Sequence, residues 1–404
     1  MRLGLTESRD PLHALAIGFA ACPLNRAQQV HYANITISDL RAVKTSNSNF
    51  ALPLLGVVLL IALAATLLFG KVRSGPVPGL EQEGWRATTP FQIPRRALAA
   101  AATASHVYVI GGMDNEDRYV AAVEYAAILA DGRLGSWHFT APLGEPRFYL
   151  AAAVSNGYLY AIGGANGERG KDNIPSATVE RAPILADGSL GPWQRAAYLT
   201  TPRRGLQAVA HDNHLYAIGG YNGAFLKSTE HTRIDAEGEL TEWQLDAQQA
   251  VVDRYIHSAT HRGDKLYLLG GHMRGAESMS YGDVEMSTLN TDGGLTPWQI
   301  QKSILLTPRF IASAFAMNDY IYMLGGHDGG NRLRSVEFAP LDTRGGVGAW
   351  SAAAPLVEGR SATALAVNGD RVYVFGGMGH AGALNSVEMA GQLTGGRLGY
   401  RRGE

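Results

Sequence analysis

Twelve histidines, a single cysteine and a set of evenly recurring arginines are the residues of this 404-residue chain best able to do chemistry. His272, His327 and His380 come from successive repeats and are the one set that could approach a metal. Histidines scattered over loops in this way are ordinary surface residues far more often than ligands, so no metal site is expected. His257 and His261 stand four apart and share a strand face, but no carboxylate motif accompanies them, and a structural role is expected. For acid–base work the available groups are Arg204, His272, His327 and Glu358, with no motif that chooses among them. No Ser-His-Asp order, phosphate loop or zinc signature appears, so neither a catalytic residue nor a cofactor is assigned. Cys22 is the only cysteine; it lies outside the repeats, and no internal disulfide is expected.

The arginines belong to a larger pattern. Two adjacent glycines recur six times: Gly111-Gly112, Gly163-Gly164, Gly219-Gly220, Gly270-Gly271, Gly325-Gly326 and Gly376-Gly377. Their spacings are 52, 56, 51, 55 and 51 residues, a period that signals a repeat architecture built of blades. An arginine stands sixteen residues before each pair: Arg95, Arg147, Arg203, Arg254, Arg309 and Arg360. A tyrosine stands three before each: Tyr108, Tyr160, Tyr216, Tyr267, Tyr322 and Tyr373. A glutamate follows at variable distance: Glu124, Glu180, Glu230, Glu285, Glu337 and Glu388. Thirteen residues after five of these come Trp137, Trp193, Trp243, Trp298 and Trp350. The last repeat has Tyr400 near that place, and Trp85 stands before the first repeat, ten residues ahead of Arg95. Matched numbers of Arg and Glu imply one partly buried ion pair per repeat, and the Trp and Tyr read as packing between repeats. Almost all the length variation falls between the glycines and the glutamate, as expected of one variable loop on a rigid frame.

The elements that carry these markers read as strands. YLYAIGG, HLYAIGG, KLYLLGG, YIYMLGG and RVYVFGG are short, rich in β-branched and aromatic residues, and end in glycine. Turn residues stand just before them, so each closes a hairpin with the preceding segment. VERAPILADGSLGPWQ and its counterparts carry Asp-Gly between two strand-like halves, a second hairpin. Each repeat is therefore four antiparallel strands, a to d. Arg opens strand a, the glycines end b, Glu lies on c and Trp opens d. Six such sheets hide their edges by radial repetition, which predicts an all-β, six-bladed propeller over residues 81–404. Either the Trp85 segment or the C-terminal LTGGRLGYRR supplies the outer strand of the last blade; the tryptophan and its step to Arg95 favour the former.

The double glycine, the Tyr before it, the Val-Glu of the third strand and the Trp of the fourth resemble the kelch family, over roughly residues 80–400. Thr229-Glu230 in the third repeat and Tyr400 in the last depart from that pattern. The start of strand a and the end of strand b share a face with the b–c loops, which makes it the default binding face. In peptide-binding kelch propellers the residue after the periodic Arg, the residue after the double glycine and the b–c loop line the pocket. Carried over, the resemblance implies Arg96, Phe148, Arg204, Tyr255, Phe310 and Ser361 at the first position. At the second it implies Met113, Ala165, Tyr221, His272, His327 and Met378. In the loop GGHDGGNRLRSVE, Arg332 matches an arginine that grips acidic ligands. Aromatics bury flat apolar faces and Arg forks a carboxylate, so a ligand with negative charge and a flat apolar surface is expected. Copper-radical oxidases of this fold need a cysteine that the repeats lack. A sialic-acid epimerase branch of the family leaves a sugar epimerase or mutarotase as the enzymatic alternative.

Residues 50–69, FALPLLGVVLLIALAATLLF, carry no charge and no strongly polar side chain. At about 1.5 Å per residue they match the roughly 30 Å apolar core of a bilayer, which predicts a transmembrane helix over 50–70. The span is longer than a signal-peptide core and lacks a small-residue cleavage site, so it reads as an uncleaved signal anchor. Arg41 and Lys44 on one side balance Lys71 and Arg73 on the other, and the general habit of signal anchors puts the propeller on the extracytoplasmic side. Residues 1–49 show no period and read as a poorly ordered tail, and 71–80 as a Pro/Gly linker. A lipid anchor at Cys22 is disfavoured by Asp10, Pro11 and Phe19. The net charge of −1 offers no field for nucleic acid. The expected function is a membrane-tethered, non-catalytic module binding a protein segment or glycan; a spacer in an envelope assembly is a further alternative.

Overall fold

The computed structural model describes residues 81–167, 173–273 and 280–401, all within the unit Pro76–Glu404. The expected tail (1–49), transmembrane helix (50–70) and linker (71–80) lie outside the described residues. Among the described residues no helix is long and apolar enough to cross a membrane.

Five repeats fold into antiparallel four-stranded sheets and the last into a six-stranded one, and the six follow in sequence order. Blade 1 runs Ala99–Ala102, His106–Ile110, Val123–Ile128 and Leu134–Thr140 as strands a to d. Blade 4 runs Ser258–Arg262, Lys265–Leu269, Val284–Thr288 and Gln299–Ile300. Strand b is buried on both faces, with Val107, Tyr108, Val109 and Ile110 all at 0% exposure. That explains why it reads as a continuous apolar run rather than an alternation. The a–b turns use residues that tolerate positive φ: Asn156 at 48° and Gly157 at 78° form the two-residue turn that a right-twisted hairpin prefers.

The double glycines are required twice over. Gly111 and Gly112 take φ of 61° and 101°, and a Cβ on Gly111 would stand 2.6 Å from the Arg147 carbonyl of the next blade. The arginine itself stands four residues ahead of strand a instead of opening it: Arg95 precedes Ala99–Ala102. The intervening residues turn the chain toward the axis.

Adjacent blades are joined by apolar seams. Across one of them the Tyr108 hydroxyl of blade 1 donates to the Gly188 carbonyl of blade 2 at 2.8 Å. The last seam repeats this, Tyr373 donating to Gly132 at 2.7 Å, so the ring is closed. Both ends of the propeller take part in closure. Arg86–Thr88 pairs with strand c of blade 6, Val387–Gln392, in the place of strand d. Trp85 therefore fills the tryptophan position, donating its indole N–H to the Ala354 carbonyl at 3.0 Å. Leu398–Arg401 pairs with the far end of the same strand c and with Glu81–Glu83. Tyr400 lies opposite Gln82 in that outer strand pair, under the Arg86 guanidinium, so it does not replace the missing tryptophan.

Candidate functional site

The periodic Arg and Glu form the expected ion pair in every blade, and it is fully buried. Arg95 meets Glu124 at 2.7 Å, Arg147 meets Glu180 at 2.6 Å and Arg360 meets Glu388 at 2.7 Å. Arg203–Glu230, Arg254–Glu285 and Arg309–Glu337 complete the set. The guanidinium also reaches backbone: Arg147 Nη1 donates to the Gly163 and Thr178 carbonyls at 2.7 and 2.9 Å. The carboxylate in turn accepts backbone N–H groups, as Glu124 does from Gln92 and Ile93. Burial pushes the Arg95 guanidinium down to about 10, while Glu124 pulls the other way. These groups are spent on the frame, and none faces a ligand.

Their sequence neighbours lie on the face of the b–c loops. In every blade the residue after Arg pairs with the residue after the double glycine in an antiparallel bridge: Arg96 with Met113, Phe148 with Ala165, Arg204 with Tyr221, Tyr255 with His272, Phe310 with His327, and Ser361 with Met378. The b–c loops join the same ledge, Arg332 bridging to His327 and Phe225 to Tyr221. The two sets of candidate positions thus lie side by side on one face, because the antiparallel a–b pair brings them there.

Within that face the blades differ. Tyr221, Phe225, Tyr255, His272, Phe310 and His327 form an unbroken run of ring contacts across blades 3 to 5, with centroid separations between 5.2 and 6.2 Å. The Arg204 guanidinium lies 5.0 Å from the Tyr221 ring and 5.4 Å from the Tyr255 ring, a cation packed over both. Arg332 is exposed at the edge of this sector, and its side chain makes no ion pair among the described residues. The opposite sector is occupied by its own contacts. Arg96 is bound to Asp117 and to the Asp114 carbonyl. Phe148 is 3% exposed and stacks on Tyr119 at 4.7 Å, and Ser361 is 2% exposed. Those three are therefore removed from direct reach. Met378 stays half-buried on the ledge.

Phe225, Tyr119 and Tyr149 belong to the face and were not singled out from the sequence. Phe225 and Tyr119 sit in the loop of variable length, where no register carries over between repeats. The Tyr149 hydroxyl is pushed up by burial, against Arg204 and Arg96.

At the axis, the second residue after each Arg adopts a left-handed backbone: Ala97, Tyr149, Gly205, Ile256, Ile311 and Ala362, with φ from 43° to 60°. Such φ is unusual for isoleucine and persists only where neighbours enforce it. Here they do, through a collar of backbone bonds around the axis. Tyr149 N–H donates to Ala97 O, Gly205 to Tyr149, Ile311 to Ile256, Ala362 to Ile311 and Ala97 to Ala362, at 2.8–2.9 Å. The collar leaves a cavity of about 60 Å³ beside Leu150, Leu206 and His257. A second, of about 180 Å³, lies among the alanines of the a strands.

His257 is 2% exposed, and neither ring nitrogen has a hydrogen-bond partner among the described residues. It stands just ahead of strand a, so it does not share a strand face with His261, which touches the His211 ring at 5.5 Å. Burial, with Arg254 adding, pushes the imidazole down to about 3. Blades 1 to 3 place Leu98, Leu150 and Leu206 at the same step from Arg. His257→Leu is expected to raise stability at neutral pH by about 1–3 kcal/mol, the cost of an unpaired buried polar group. The folded value lies below the unfolded one, so the unfolded chain binds the extra proton as pH falls. The parent should lose stability as pH drops from about 6.5 toward about 3, and the variant should lose less. Urea midpoints at pH 7.5 and 5 check both parts; equal midpoints for the two proteins at both pH values contradict them.

Among the described residues no three His, Cys, Asp or Glu side chains gather as a metal would need. Ring contacts link His272 and His327 through Phe310, and His380 is exposed. Of the acid–base candidates, Arg204, His272 and His327 belong to the aromatic sector, while Glu358 lies beside Arg360 of blade 6 at 3.9 Å.

The Kelch motif model matches residues 202–231, which run from the threshold of Arg203 through the double glycine to Glu230. Beta-scruin of Limulus polyphemus is 25% identical over 252 residues, 61% of this chain and 26% of that protein. Kelch-like protein 36 of Bos taurus is 25% identical over 256 residues, 61% of this chain and 38% of that protein. Kelch-like protein 13 of Homo sapiens is 32% identical over 82 residues, 20% of this chain and 12% of that protein. The chain thus spans about a quarter of the scruin's length. The solved structure of YjhT superposes with a TM-score of 0.61 at 15% identity, covering 77% of this chain and 98% of that one, a likeness of fold. One repeat matched outright, and five more holding Arg, double glycine and Glu at the same stations of the same sheet, place this chain in the kelch-repeat family.

Proposed function

We propose that this propeller is a non-catalytic binding module, tethered to a membrane through residues 50–70. Its ligand is a protein segment or glycan that offers negative charge beside a flat apolar surface. The observation that carries the reading is the run of rings over blades 3 to 5 with Arg204 over Tyr221 and Tyr255. Rings packed on one another present a preformed apolar floor at little entropic cost, and a guanidinium fixed above it can fork a carboxylate. Arg332 adds a second cation at the edge. Phe148, Ser361 and Arg96 leave the seat, because burial or Asp117 already holds them.

The epimerase or mutarotase alternative needs an enclosed pocket with converging acid and base. Pockets that enclose small ligands run to about 300–1,000 Å³. The two cavities near the axis are about 60 and 180 Å³ and are walled mainly by Leu, Ile and Ala. An open aromatic ledge suits an extended ligand better. A pure spacer would have no use for such a ledge.

A glycan and peptide array probed with the fragment from residue 75 onward tests the seat. Acidic, partly apolar ligands should be captured, and Tyr255→Ala should weaken capture by about tenfold or more, as central aromatic anchors do. Capture unchanged by Tyr255→Ala would move the seat elsewhere, and no capture at all would remove the reading. The tether is tested by fractionation: the whole chain should stay in the membrane pellet after alkaline carbonate, and protease added to intact cells should cut the propeller. Release by carbonate contradicts the tether, and protection of the propeller contradicts its extracytoplasmic side.

A further inference from the structure

Five kinds of hydrogen bond recur at the seams between blades. The first is the axial collar. The second runs from the second glycine of one blade to the periodic Arg of the next, as Gly112 N–H to Arg147 O at 2.8 Å. The third runs from that Arg amide back to the preceding b–c loop, as Arg147 N–H to Val120 O at 3.3 Å. The fourth is the Tyr hydroxyl to the c–d glycine, and the fifth the Trp indole to the preceding strand-d segment, as Trp193 to Ala141 at 2.8 Å. The seams 1–2, 2–3, 5–6 and 6–1 make all five, and seam 4–5 lacks only the indole bond of Trp350.

Between blades 3 and 4 none of the five is made among the described residues. Ile256 N–H does not reach Gly205 O, Gly220 N–H does not reach Arg254 O, and Arg254 N–H does not reach Leu226 O. The Tyr216 hydroxyl and the Trp298 indole N–H are buried without partners. The apolar seam there is also the thinnest, with nine buried residues and one partly buried, where every other seam has at least ten and three. His257 explains the gap. Where a Cβ on Gly111 or Gly163 would meet the next Arg carbonyl, one on Gly219 would meet the His257 ring at 2.4 Å. The imidazole occupies the docking place of the Arg254 carbonyl. What still spans the seam includes the Ala250 N–H bond to Lys227 O at 3.0 Å, the Lys227 Nζ bond to Val251 O at 2.7 Å, the Leu295 N–H bond to Asp246, the His211–His261 ring contact, and on the b–c face the contacts of Arg204, Tyr221 and Phe225 with Tyr255 and of Phe225 with His272.

We infer that the seam between blades 3 and 4 is the movable joint of the ring, opening between blades while the other seams stay shut, with the Tyr221–Phe225–Tyr255 cluster as its clasp. The inference rests on the interblade bonds and not on the proposed ligand. Should a ligand bridge Tyr221 and Tyr255, it would bind the closed joint and slow its opening.

Amide hydrogen exchange of the whole chain, resolved to single residues, separates a mobile seam from one that merely lacks bonds. The reporter is Ala250, whose bond is made, beside its counterparts Leu143, Leu199, Leu305, Leu356 and Phe91 at the other seams. Opening predicts exchange at Ala250 about tenfold or more faster than at the five counterparts, and His257→Leu should slow it toward them. A second measurement needs no intact His257. In a Cys22→Ser background, Val209→Cys and Ala153→Cys put thiols in the 3–4 and 2–3 seams at equivalent steps from Arg. The former should be alkylated faster by a similar factor. Equal exchange at all six amides, or equal alkylation of the two thiols, overturns the inference.

Discussion

Arg309→Ala should lower stability by about 3–5 kcal/mol, the effect of stripping one partner from a buried ion pair. Arg309 is 0% exposed, and its guanidinium serves three kinds of partner. Nη2 donates to Glu337 and to Ser335 Oγ; Nη1 donates to the Gly325 and Ser335 carbonyls at 3.0 and 3.1 Å; Nε donates to the Thr307 carbonyl at 3.1 Å. Removal leaves the Glu337 carboxylate buried with, among the described residues, only the N–H groups of Leu306 and Thr307 as donors. It also orphans the Gly325 carbonyl that ends strand b. A lysine cannot fork to both Glu337 and Gly325, so Arg309→Lys should recover little. At the unfolding entropy of a domain this size the loss corresponds to roughly 5–7 °C in melting temperature. Thermal denaturation by circular dichroism checks it. An unchanged melting temperature for Arg309→Ala would refute the account of the pair.

Trp85→Ala should cost about 3–5 kcal/mol, as loss of a buried tryptophan does in a packed core. Trp85 is 6% exposed and packs into the seam of blades 5 and 6 with Leu356, Val374 and Leu398, well away in sequence from all of them. It also anchors the strand Arg86–Thr88 that completes blade 6. A ring missing that strand exposes the edge of strand c, the form of edge that pairs with other chains. Tyr400→Ala removes a ring from the outer strand pair alone and should cost less than about 1 kcal/mol. Urea unfolding of the two variants separates the roles. A larger loss for Tyr400→Ala would assign closure to the C-terminal strand.

The sequence showed the blades because their markers keep fixed distances. The step of sixteen from Arg to the first glycine survives in all six repeats, since Arg Nη1 must reach that glycine's carbonyl, as Arg203 reaches Gly219 at 2.8 Å. The pairing of Arg with Glu was legible for the same reason. The face was legible as a set of positions, but its populated sector was not. Arg96 looked as free as Arg204 until Asp117, in a loop of variable length, was seen to hold it. Phe225 was hidden in such a loop, where no spacing carries over. The collar had no signature at all, because Ala, Tyr, Gly, Ile, Ile and Ala occupy its six stations. A left-handed backbone imposed by neighbours leaves no common residue type behind. His257 read as a strand histidine, and its meaning emerged only beside the leucines that fill the same station in blades 1 to 3.

Two arginines adjacent in sequence offer the most direct test of the division between frame and face. Arg203 is 0% exposed in its pair with Glu230, and Arg204 lies on the ledge over Tyr221 and Tyr255. Melting temperature and array capture should be measured for Arg203→Ala and Arg204→Ala in parallel. The account predicts that Arg203→Ala melts several degrees lower, while Arg204→Ala melts close to the parent and loses capture of acidic ligands. Equal destabilisation by both substitutions, or undiminished capture by Arg204→Ala, would contradict it.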